Sequence, residues 1–132
     1  FAPSAVEALQ NLNNKKPENL TVLQQDIFDL EHSYFEYFDY IIEQTCFCAI
    51  HPKRRPDYVK LVSNITKKNG YLIGLWLPLN KKTEEGGPPY GTTIKEVKTH
   101  FTEKWVVDRE EFSVLSIPSR KNNEKLIIFK KI

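Results

Sequence analysis

The stretch FDYIIEQTCFCAIHPKRRPDY, residues 38–58, decides the fold of this chain. It begins with a mostly apolar run, reaches the polar residues Gln44 and Thr45, and continues through an apolar turn to the basic loop HPKRRP. This order is typical of a buried parallel strand that delivers side chains to a ligand crevice just before a helix begins. The stretch therefore predicts an α/β fold with a ligand site at the carboxyl end of the strand.

The hydrophobic periodicity of the whole chain predicts strands that alternate with helices. The predicted strands are at residues 20–25, 38–44, 71–77, 105–112 and 124–131. The predicted helices are at residues 2–12, 56–68 and 93–101. We expect Asn13, Asn14 and Pro17 to end the first helix, and Asn69 and Gly70 to cap the second. The alternation predicts a three-layer α/β sandwich with a mostly parallel sheet, a central third strand and an antiparallel C-terminal hairpin.

The composition of the chain, 132 residues with a net charge of +2, argues against several function classes. This length corresponds to one domain at most, and the small net charge gives no reason to expect nucleic-acid binding. No apolar run approaches the ~20 residues needed to span a bilayer, and no secretory signal is visible, so we expect a cytoplasmic protein without a membrane partner. Cys46 and Cys48 suit neither a disulfide nor a zinc site, and this predicts buried, reduced thiols and no metal.

Two further motifs accompany FCAIHP: GGPPYGTT at residues 86–93 and IPSRKNNEKL at residues 117–126. With these three motifs, the chain resembles the thiopurine and thiol or halide methyltransferases, which use S-adenosylmethionine. The resemblance covers nearly all of residues 1–132 and implies a Rossmann-like class I methyltransferase fold, with strand order 3-2-1-4-5-7-6 and an antiparallel strand 7. It also implies that strands 1 and 2 are absent from this chain, which would form the C-terminal portion of a single methyltransferase domain.

The resemblance implies a cofactor-binding side made of Asp26, Ile27, Gln44 and Thr45. In the family, an acid at the end of the first predicted strand accepts the adenine amino group and an aromatic neighbour covers the ring; here Ile27 replaces the aromatic. Gln44 and Thr45 would lie beside the methionine or adenosine part, although the family often has an aromatic residue at the first of these positions. Two alternatives stay open: Asp26 caps the following turn, and Gln44 bonds to a loop backbone.

The resemblance further implies an acceptor-binding side made of Phe47, Tyr90 and Arg120. Two glycines in GGPPY allow close backbone approach and two prolines stiffen the chain, so the loop would hold Tyr90 over a pocket with Phe47 across it. Arg120 would attract an anionic substrate from a loop on the same edge. The alternative for Tyr90 is that its ring simply packs on the following helix.

The neighbouring charged residues are interpreted as structural or solvated. A thiolate or halide nucleophile needs no base, so His51 is predicted to be a surface histidine, although an imidazole there invites general-base chemistry. Arg54 and Arg55 are predicted to be solvated, and Glu43 receives no functional role.

The glycine-rich turn that cradles the cofactor in this family is missing from these residues. We expect the sheet to expose edges and apolar faces, so that either the missing N-terminal segment or another copy of the chain completes it. The leading hypothesis is methyl transfer from S-adenosylmethionine to a small-molecule thiol, halide or similar soft nucleophile, with the isolated chain inactive. The alternative is a non-catalytic fragment or interaction module that has lost the cofactor-binding motif.

Overall fold

The computed structural model describes residues 2–13 and 19–132. Its α-helices are α1 (Pro3–Asn13), α2 (Glu31–Tyr34), α3 (Arg55–Ile65) and α4 (Ile94–His100). Its strands are β1 (Phe38–Gln44), β2 (Thr66–Trp76), β3 (Trp105–Glu111) and β4 (Lys125–Lys131). Asn14 and Pro17, which were predicted to end the first helix, lie outside the described residues.

The four strands form one mixed sheet in the order β1-β2-β4-β3. β1 and β2 are parallel and place Gln44 opposite Leu75 at their carboxyl ends, whereas β4 is antiparallel to both β2 and β3. The predicted central strand and the predicted antiparallel C-terminal hairpin are both confirmed. The order of the strands is that of strands 4, 5, 7 and 6 in the fold that the sequence resemblance implies.

One face of the sheet carries the hydrophobic core beneath α3 and α4. Alternate residues of β2 and β4 point into this core because side chains on a strand alternate between the two faces. The core cluster consists of Phe47, Tyr58, Val62, Leu72, Trp76, Val97, Phe101, Trp105, Ile127 and Phe129. Each large apolar side chain buried here contributes roughly 1.5–3 kcal/mol to the free energy of unfolding. The core therefore fixes α3 and the loops beside it against the sheet.

The opposite face of the sheet remains partly open and apolar. Ile42 of β1 is 78% exposed and Tyr40 is also exposed, while Ile73, Leu75 and Ile128 are only half-buried. This open surface agrees with the expectation that the chain on its own exposes an apolar face of its sheet.

Residues 20–25 form no strand, so this prediction is wrong. A strand exists through hydrogen bonds to a neighbouring strand, and local β-propensity cannot replace that neighbour. Among the described strands, β1 is an edge strand that pairs only with β2. In the implied fold, strands 1 and 2 would lie between β1 and residues 20–25, and neither is in this sequence.

The helix predicted at residues 56–68 corresponds to α3, which ends earlier than predicted. The N–H and the hydroxyl of Thr66 both donate to the carbonyl of Val62, and Thr66 has extended backbone angles that stop the helix. The prediction that Asn69 and Gly70 cap this helix is also wrong. They lie in β2, where Asn69 has a φ of 65° and the register with β1 is irregular between the pair of Phe38 with Thr66 and the pair of Tyr40 with Tyr71.

Candidate functional site

Three loops meet at the edge of the sheet where β1, β2 and β3 end. The β1 turn comprises residues 45–54, the Tyr90 loop comprises residues 77–93, and the hairpin loop comprises residues 112–124. The Tyr90 loop contacts the other two: the Tyr90 N–H donates to the Cys48 carbonyl at 2.7 Å, and the Leu79 N–H donates to the Asn123 side-chain Oδ1 at 2.8 Å. These contacts bring together the three segments that carry most of the predicted site residues.

Glu43 organises the β1 turn from below. Its Oε1 accepts hydrogen bonds from the backbone N–H groups of Cys46 and Phe47, each at 2.9 Å, and its Oε2 accepts one from the hydroxyl of Tyr58. The sequence assigned Glu43 no role. The feature that could have predicted its structural role is its position on β1. Glu43 shares the inward face of the strand with Ile41, and an acid on that face needs hydrogen-bond partners.

The titratable groups around Glu43 are held in their protonated forms. Burial, followed by the nearby Glu43 carboxylate and Cys48, raises the pKa of Cys46 to about 12. Burial and the same carboxylate also raise the pKa of Cys48 and raise the pKa of Tyr58 well above its usual value. Both cysteines are free, and neither is an activated thiolate.

Phe47 lies in the core beneath the crevice rather than on its open surface. It is 2% exposed, and its ring centroid lies 5.2 Å from that of Trp76 and 5.8 Å from that of Tyr58. On the side of the Tyr90 loop, the guanidinium carbon of Arg55 lies 4.5 Å from the ring centroid. Any influence of Phe47 on a ligand would therefore pass through the residues that cover it.

Arg55 is fully buried, so the prediction that it is solvated is wrong. Its two terminal nitrogens donate to Glu96 and to backbone carbonyls of the Tyr90 loop, which a sequence pattern does not reveal because these groups lie 35 to 41 positions away. The neighbouring Arg54 is exposed as predicted and pairs with Asp57 at 3.5 Å.

Tyr90 is half-buried over the β1 turn. Its ring centroid lies 5.4 Å from that of His51, in an edge-to-face arrangement. His51 is exposed, and its Nδ1 accepts a hydrogen bond from the Lys53 N–H at 3.3 Å, which agrees with its interpretation as a surface histidine. The aromatic neighbour of Tyr90 in the β1 turn is therefore His51, whereas Phe47, which was predicted to lie across a pocket from Tyr90, is buried in the core.

Asp26 and Ile27 lie at the start of a short 3₁₀ helix. The Asp26 carboxylate accepts a hydrogen bond from the Phe28 N–H at 3.0 Å, which is the capping role that the sequence left open as an alternative. Ile27 is half-buried against the core. Gln44 is exposed at the end of β1, and the hydroxyl of Thr45 donates to the Gln44 carbonyl at 2.6 Å.

Arg120 occupies the hairpin loop and is half-buried. Its Nη1 lies 3.8 Å from Oε2 of the buried Glu124, whose Oε1 accepts from the Ser116 hydroxyl at 2.7 Å. The positive charge of Arg120 also lowers the pKa of Cys48, against the larger effect of burial. Arg120 is thus close enough to the β1 turn to influence charge there.

Two cavities differ in their relation to this edge. The smaller, about 260 Å³, is bounded by the end of β1 and the hairpin loop, and its lining includes Gln44, Leu75, Leu115 and Ser116. The larger, about 410 Å³, lies between α3 and α4, away from the predicted site residues. Position relative to the strand ends is a better guide than volume here, because ligands of open α/β sheets bind at those ends.

The described residues contain no group of three or more His, Cys, Asp or Glu side chains placed to hold a metal ion. Among the described helices, none has the length and apolar character required to cross a membrane.

Several solved structures with a similar fold are methyltransferases. The N-methyltransferase NodS from Bradyrhizobium japonicum, in complex with S-adenosyl-L-homocysteine, is similar over 98% of this chain and 63% of its own, with a TM-score of 0.76 and 12% identity. A methyltransferase from Methanosarcina mazei, described as dependent on S-adenosylmethionine, is similar over 99% of this chain and 79% of its own, with a TM-score of 0.73 and 18% identity. The fold is that of the class I methyltransferases.

Comparison with protein families identifies the family within this class. The Thiopurine S-methyltransferase (TPMT) family matches residues 2–130, and the chain belongs to that family. It is 35% identical over 123 residues to thiocyanate methyltransferase 1 of Arabidopsis thaliana, covering 91% of this chain and 52% of the relative. It is 29% identical over 84 residues to a thiopurine S-methyltransferase of Legionella pneumophila, covering 64% of this chain and 38% of the relative. The chain spans about half the length of the Arabidopsis relative.

Proposed function

We propose that the complete protein transfers a methyl group from S-adenosylmethionine to a small, soft nucleophile, a thiol or a halide. Residues 1–132 would form the C-terminal portion of a single methyltransferase domain. The observation that carries the proposal is the contact of the Tyr90 loop with the β1 turn at the carboxyl ends of parallel strands, in a chain of this family. The names of the plant relatives, thiocyanate methyltransferase and thiol methyltransferase, support a soft nucleophile.

The proposed cofactor side consists of Asp26, Ile27, Gln44 and Thr45. S-adenosylmethionine would supply the electrophilic methyl group when bound. The residues present fit part of such a ligand, because Asp26 offers a carboxylate beside the apolar Ile27, and Gln44 is exposed at the end of β1. The sequence has no glycine-rich turn, so the groups that would hold the rest of the cofactor lie outside these residues.

The proposed acceptor side consists of Tyr90, Phe47 and Arg120. Tyr90 would place an aromatic face beside the acceptor and contribute cation–π attraction near a sulfonium. Phe47 would act from the core as a support, and Arg120 would attract an anionic acceptor.

The proposed reaction is an in-line displacement at the methyl carbon. A lone pair of the acceptor would form the new bond to the methyl carbon, and the electron pair of the bond from that carbon to the sulfonium would remain on sulfur. A thiolate or halide needs no base for this step, so no proton transfer is assigned to His51. The residues named here would contribute alignment and exclusion of water.

The proposal includes the setting in which the protein works. Free cysteines with raised pKa values fit a reducing compartment, and we place the protein in the cytoplasm. The partners would be small molecules, with neither nucleic acid nor membrane. The exposed face of the sheet around Ile42 would be covered by the N-terminal segment or by another copy of the chain.

The test is methyl transfer from radiolabelled S-adenosylmethionine to hydrosulfide, an aryl thiol, thiocyanate and iodide. The protein tested is a longer one, in which the N-terminal segment that is typical of this family precedes residues 1–132. Residues 1–132 alone serve as the matched control. We expect methylated product from the longer protein and none from the control. A longer protein that binds neither cofactor nor acceptor would favour the alternative, a non-catalytic fragment or interaction module. Activity of residues 1–132 alone would overturn the placement of the cofactor site.

A further inference from the structure

Arg55, the first residue of α3, connects three segments through one buried guanidinium that is 0% exposed. Its Nη1 donates to Oε1 of Glu96 at 2.6 Å, and its Nη2 donates to the carbonyls of Gly91 at 3.1 Å and Tyr90 at 3.3 Å. The guanidinium carbon lies 4.5 Å from the centre of the Phe47 ring. One planar group therefore contacts the β1 turn, the Tyr90 loop and α4.

The chemistry of arginine explains why this position needs a guanidinium rather than another buried side chain. Removing a charge from water is costly, and apolar residues of the same volume often stabilise a core equally well. The ion pair of Arg55 with Glu96 is therefore a weak explanation on grounds of stability alone. A guanidinium can pair with a carboxylate, donate to two carbonyls and stack on a ring at once, whereas an ammonium is a point charge on a flexible stem.

The backbone of Tyr90 is held on both sides. Its N–H donates to the Cys48 carbonyl at 2.7 Å, and its carbonyl accepts from Arg55. The next residue, Gly91, approaches the backbone so closely that a Cβ there would lie 1.9 Å from the Lys81 carbonyl oxygen. Contacts to the backbone of Tyr90 thus set the position of its ring relative to the β1 turn. Arg55 is the side chain that makes one of these contacts.

We propose that Arg55 is a positioning residue that aligns the acceptor by fixing Tyr90 against the β1 turn. The inference rests on the proposed function, in which Tyr90 flanks the acceptor. Arg55 itself is buried and acts through the carbonyls of Tyr90 and Gly91. Its loss should therefore lower the rate of acceptor methylation much more than the affinity for the cofactor, because misplacement of an aligning group by about 1 Å can cost on the order of a hundredfold in rate.

The first experiment compares Arg55→Lys with Ser63→Ala in the protein that carries the N-terminal part. Arg55→Lys keeps the charge and loses the planar fork. Ser63→Ala is the matched control. Ser63 lies on the same helix as Arg55, away from the crevice, and its hydroxyl accepts a buried hydrogen bond from the indole N–H of Trp105. For Arg55→Lys we expect kcat/KM for an aryl thiol to fall at least tenfold, with the Kd for S-adenosylhomocysteine unchanged within twofold. For Ser63→Ala we expect both quantities to stay within twofold.

A double-mutant cycle with Tyr90→Ala distinguishes positioning from general support of the fold. If Arg55 acts through Tyr90, adding Arg55→Lys to Tyr90→Ala should lower kcat/KM less than twofold further. A merely structural arginine would add its full effect in either background. Should Arg55→Lys fail to fold, Arg55→Gln combined with Glu96→Gln removes the buried charge of Arg55 together with its half-buried partner charge and enters the same cycle.

Hydrogen exchange provides a readout that does not require activity. Loss of Arg55 should raise exchange at the amides of Tyr90 and Thr92 at least tenfold while the amides of β4 stay protected within twofold. Equal losses of kcat/KM and cofactor affinity, additive effects in the cycle, or unchanged exchange in the Tyr90 loop would each overturn the inference. If the unaltered protein methylates no acceptor, the proposed function fails instead, and the exchange result still decides whether Arg55 fixes the loop.

Discussion

The hydroxyl of Tyr58 donates a hydrogen bond to Oε2 of Glu43, and both side chains are almost completely buried beneath the crevice. The other carboxylate oxygen accepts from the N–H groups of Cys46 and Phe47. Three donors thus satisfy one buried carboxylate, which a protein interior requires of a charged group. The pair joins α3 to the β1 turn and gives the crevice a rigid base.

Removal of this hydroxyl should destabilise the fold. Tyr58→Phe leaves the ring in the core and removes a donor to the carboxylate of Glu43, so we expect the free energy of unfolding to fall by about 1.5–3 kcal/mol. Chemical denaturation in guanidinium chloride measures the change. Tyr37→Phe is the matched control, since Tyr37 is exposed and should change the free energy by less than about 0.5 kcal/mol. Equal stability of both variants would mean that the buried hydrogen bond contributes nothing.

The pKa of Cys46, raised to about 12, predicts how stability depends on alkaline pH. The unfolded chain releases this thiol proton near the ordinary pKa of 9.0, whereas the folded chain retains it. Stability from this group is therefore complete below about pH 9 and is lost as the pH rises from 9 towards 12. Cys46→Ser should reduce the loss of stability over this range, measured by denaturant unfolding at several pH values. An identical pH profile for the variant would contradict the raised pKa.

The same pKa predicts low reactivity of the folded protein toward iodoacetamide. At pH 8 only about one Cys46 thiol in 10⁴ is a thiolate. We expect the native protein to resist alkylation at Cys46, and the denatured protein to react readily, as followed by mass spectrometry. Rapid labelling of native Cys46 at pH 8 would show that the thiol is accessible and ionised.

Asp26 allows its capping role to be separated from its proposed role in cofactor binding. Asp26→Ala should weaken binding of S-adenosylhomocysteine by about 1–3 kcal/mol if the carboxylate holds a buried adenine donor. Asp26→Ser is the control, because serine also caps a helix but lacks the second carboxylate oxygen. Calorimetry should then find weak binding for both variants. Normal affinity in Asp26→Ser would reduce the role of Asp26 to the hydrogen bond with Phe28.

The elements that could be predicted from sequence are those whose signal is local. The apolar runs of β1 and β2 identify strands without reference to partners. The prediction that β1 is buried is wrong, because β1 lies at the edge of the described sheet and Tyr40 and Ile42 are exposed. The dipeptide Asn69-Gly70 correctly indicated a change of backbone direction, and Asn69 does have a positive φ, but the two residues lie at an irregular point of β2 rather than at a helix cap. The dipeptide therefore predicted the local backbone conformation, but it did not predict whether that conformation would end a helix or lie within a strand.

The elements that could not be predicted depend on partners distant in sequence. Residues 20–25 have the composition of a strand, yet the described sheet does not include them. An arginine is usually a surface residue. Arg55 is buried because its guanidinium pairs with Glu96 and donates to backbone carbonyls more than thirty positions away. The GGPPY motif predicted that Tyr90 lies over a pocket, and only the structure shows that Arg55 contacts the backbone of Tyr90.

Tyr90 provides the most direct test of the acceptor side. Its ring lies beside that of His51 above the β1 turn, so we expect Tyr90→Ala to disturb the alignment of the acceptor rather than contacts with adenosine. In the protein that carries the N-terminal part, kcat/KM for a thiol acceptor should fall about tenfold to a hundredfold, while the Kd for S-adenosylhomocysteine changes by less than about twofold. Steady-state kinetics and a cofactor titration on the same preparation measure the two quantities.

His51→Ala is the matched variant for this comparison, because it removes the aromatic neighbour of Tyr90 and leaves Tyr90 and its backbone contacts with Cys48 and Arg55 in place. If the acceptor is aligned by Tyr90 itself, the loss of kcat/KM in His51→Ala should be smaller than in Tyr90→Ala. Equal loss of kcat/KM and cofactor affinity in Tyr90→Ala would place this ring on the cofactor side instead. No change in either quantity would make Tyr90 an ordinary packing residue, because an aligning group cannot be removed without a cost in rate.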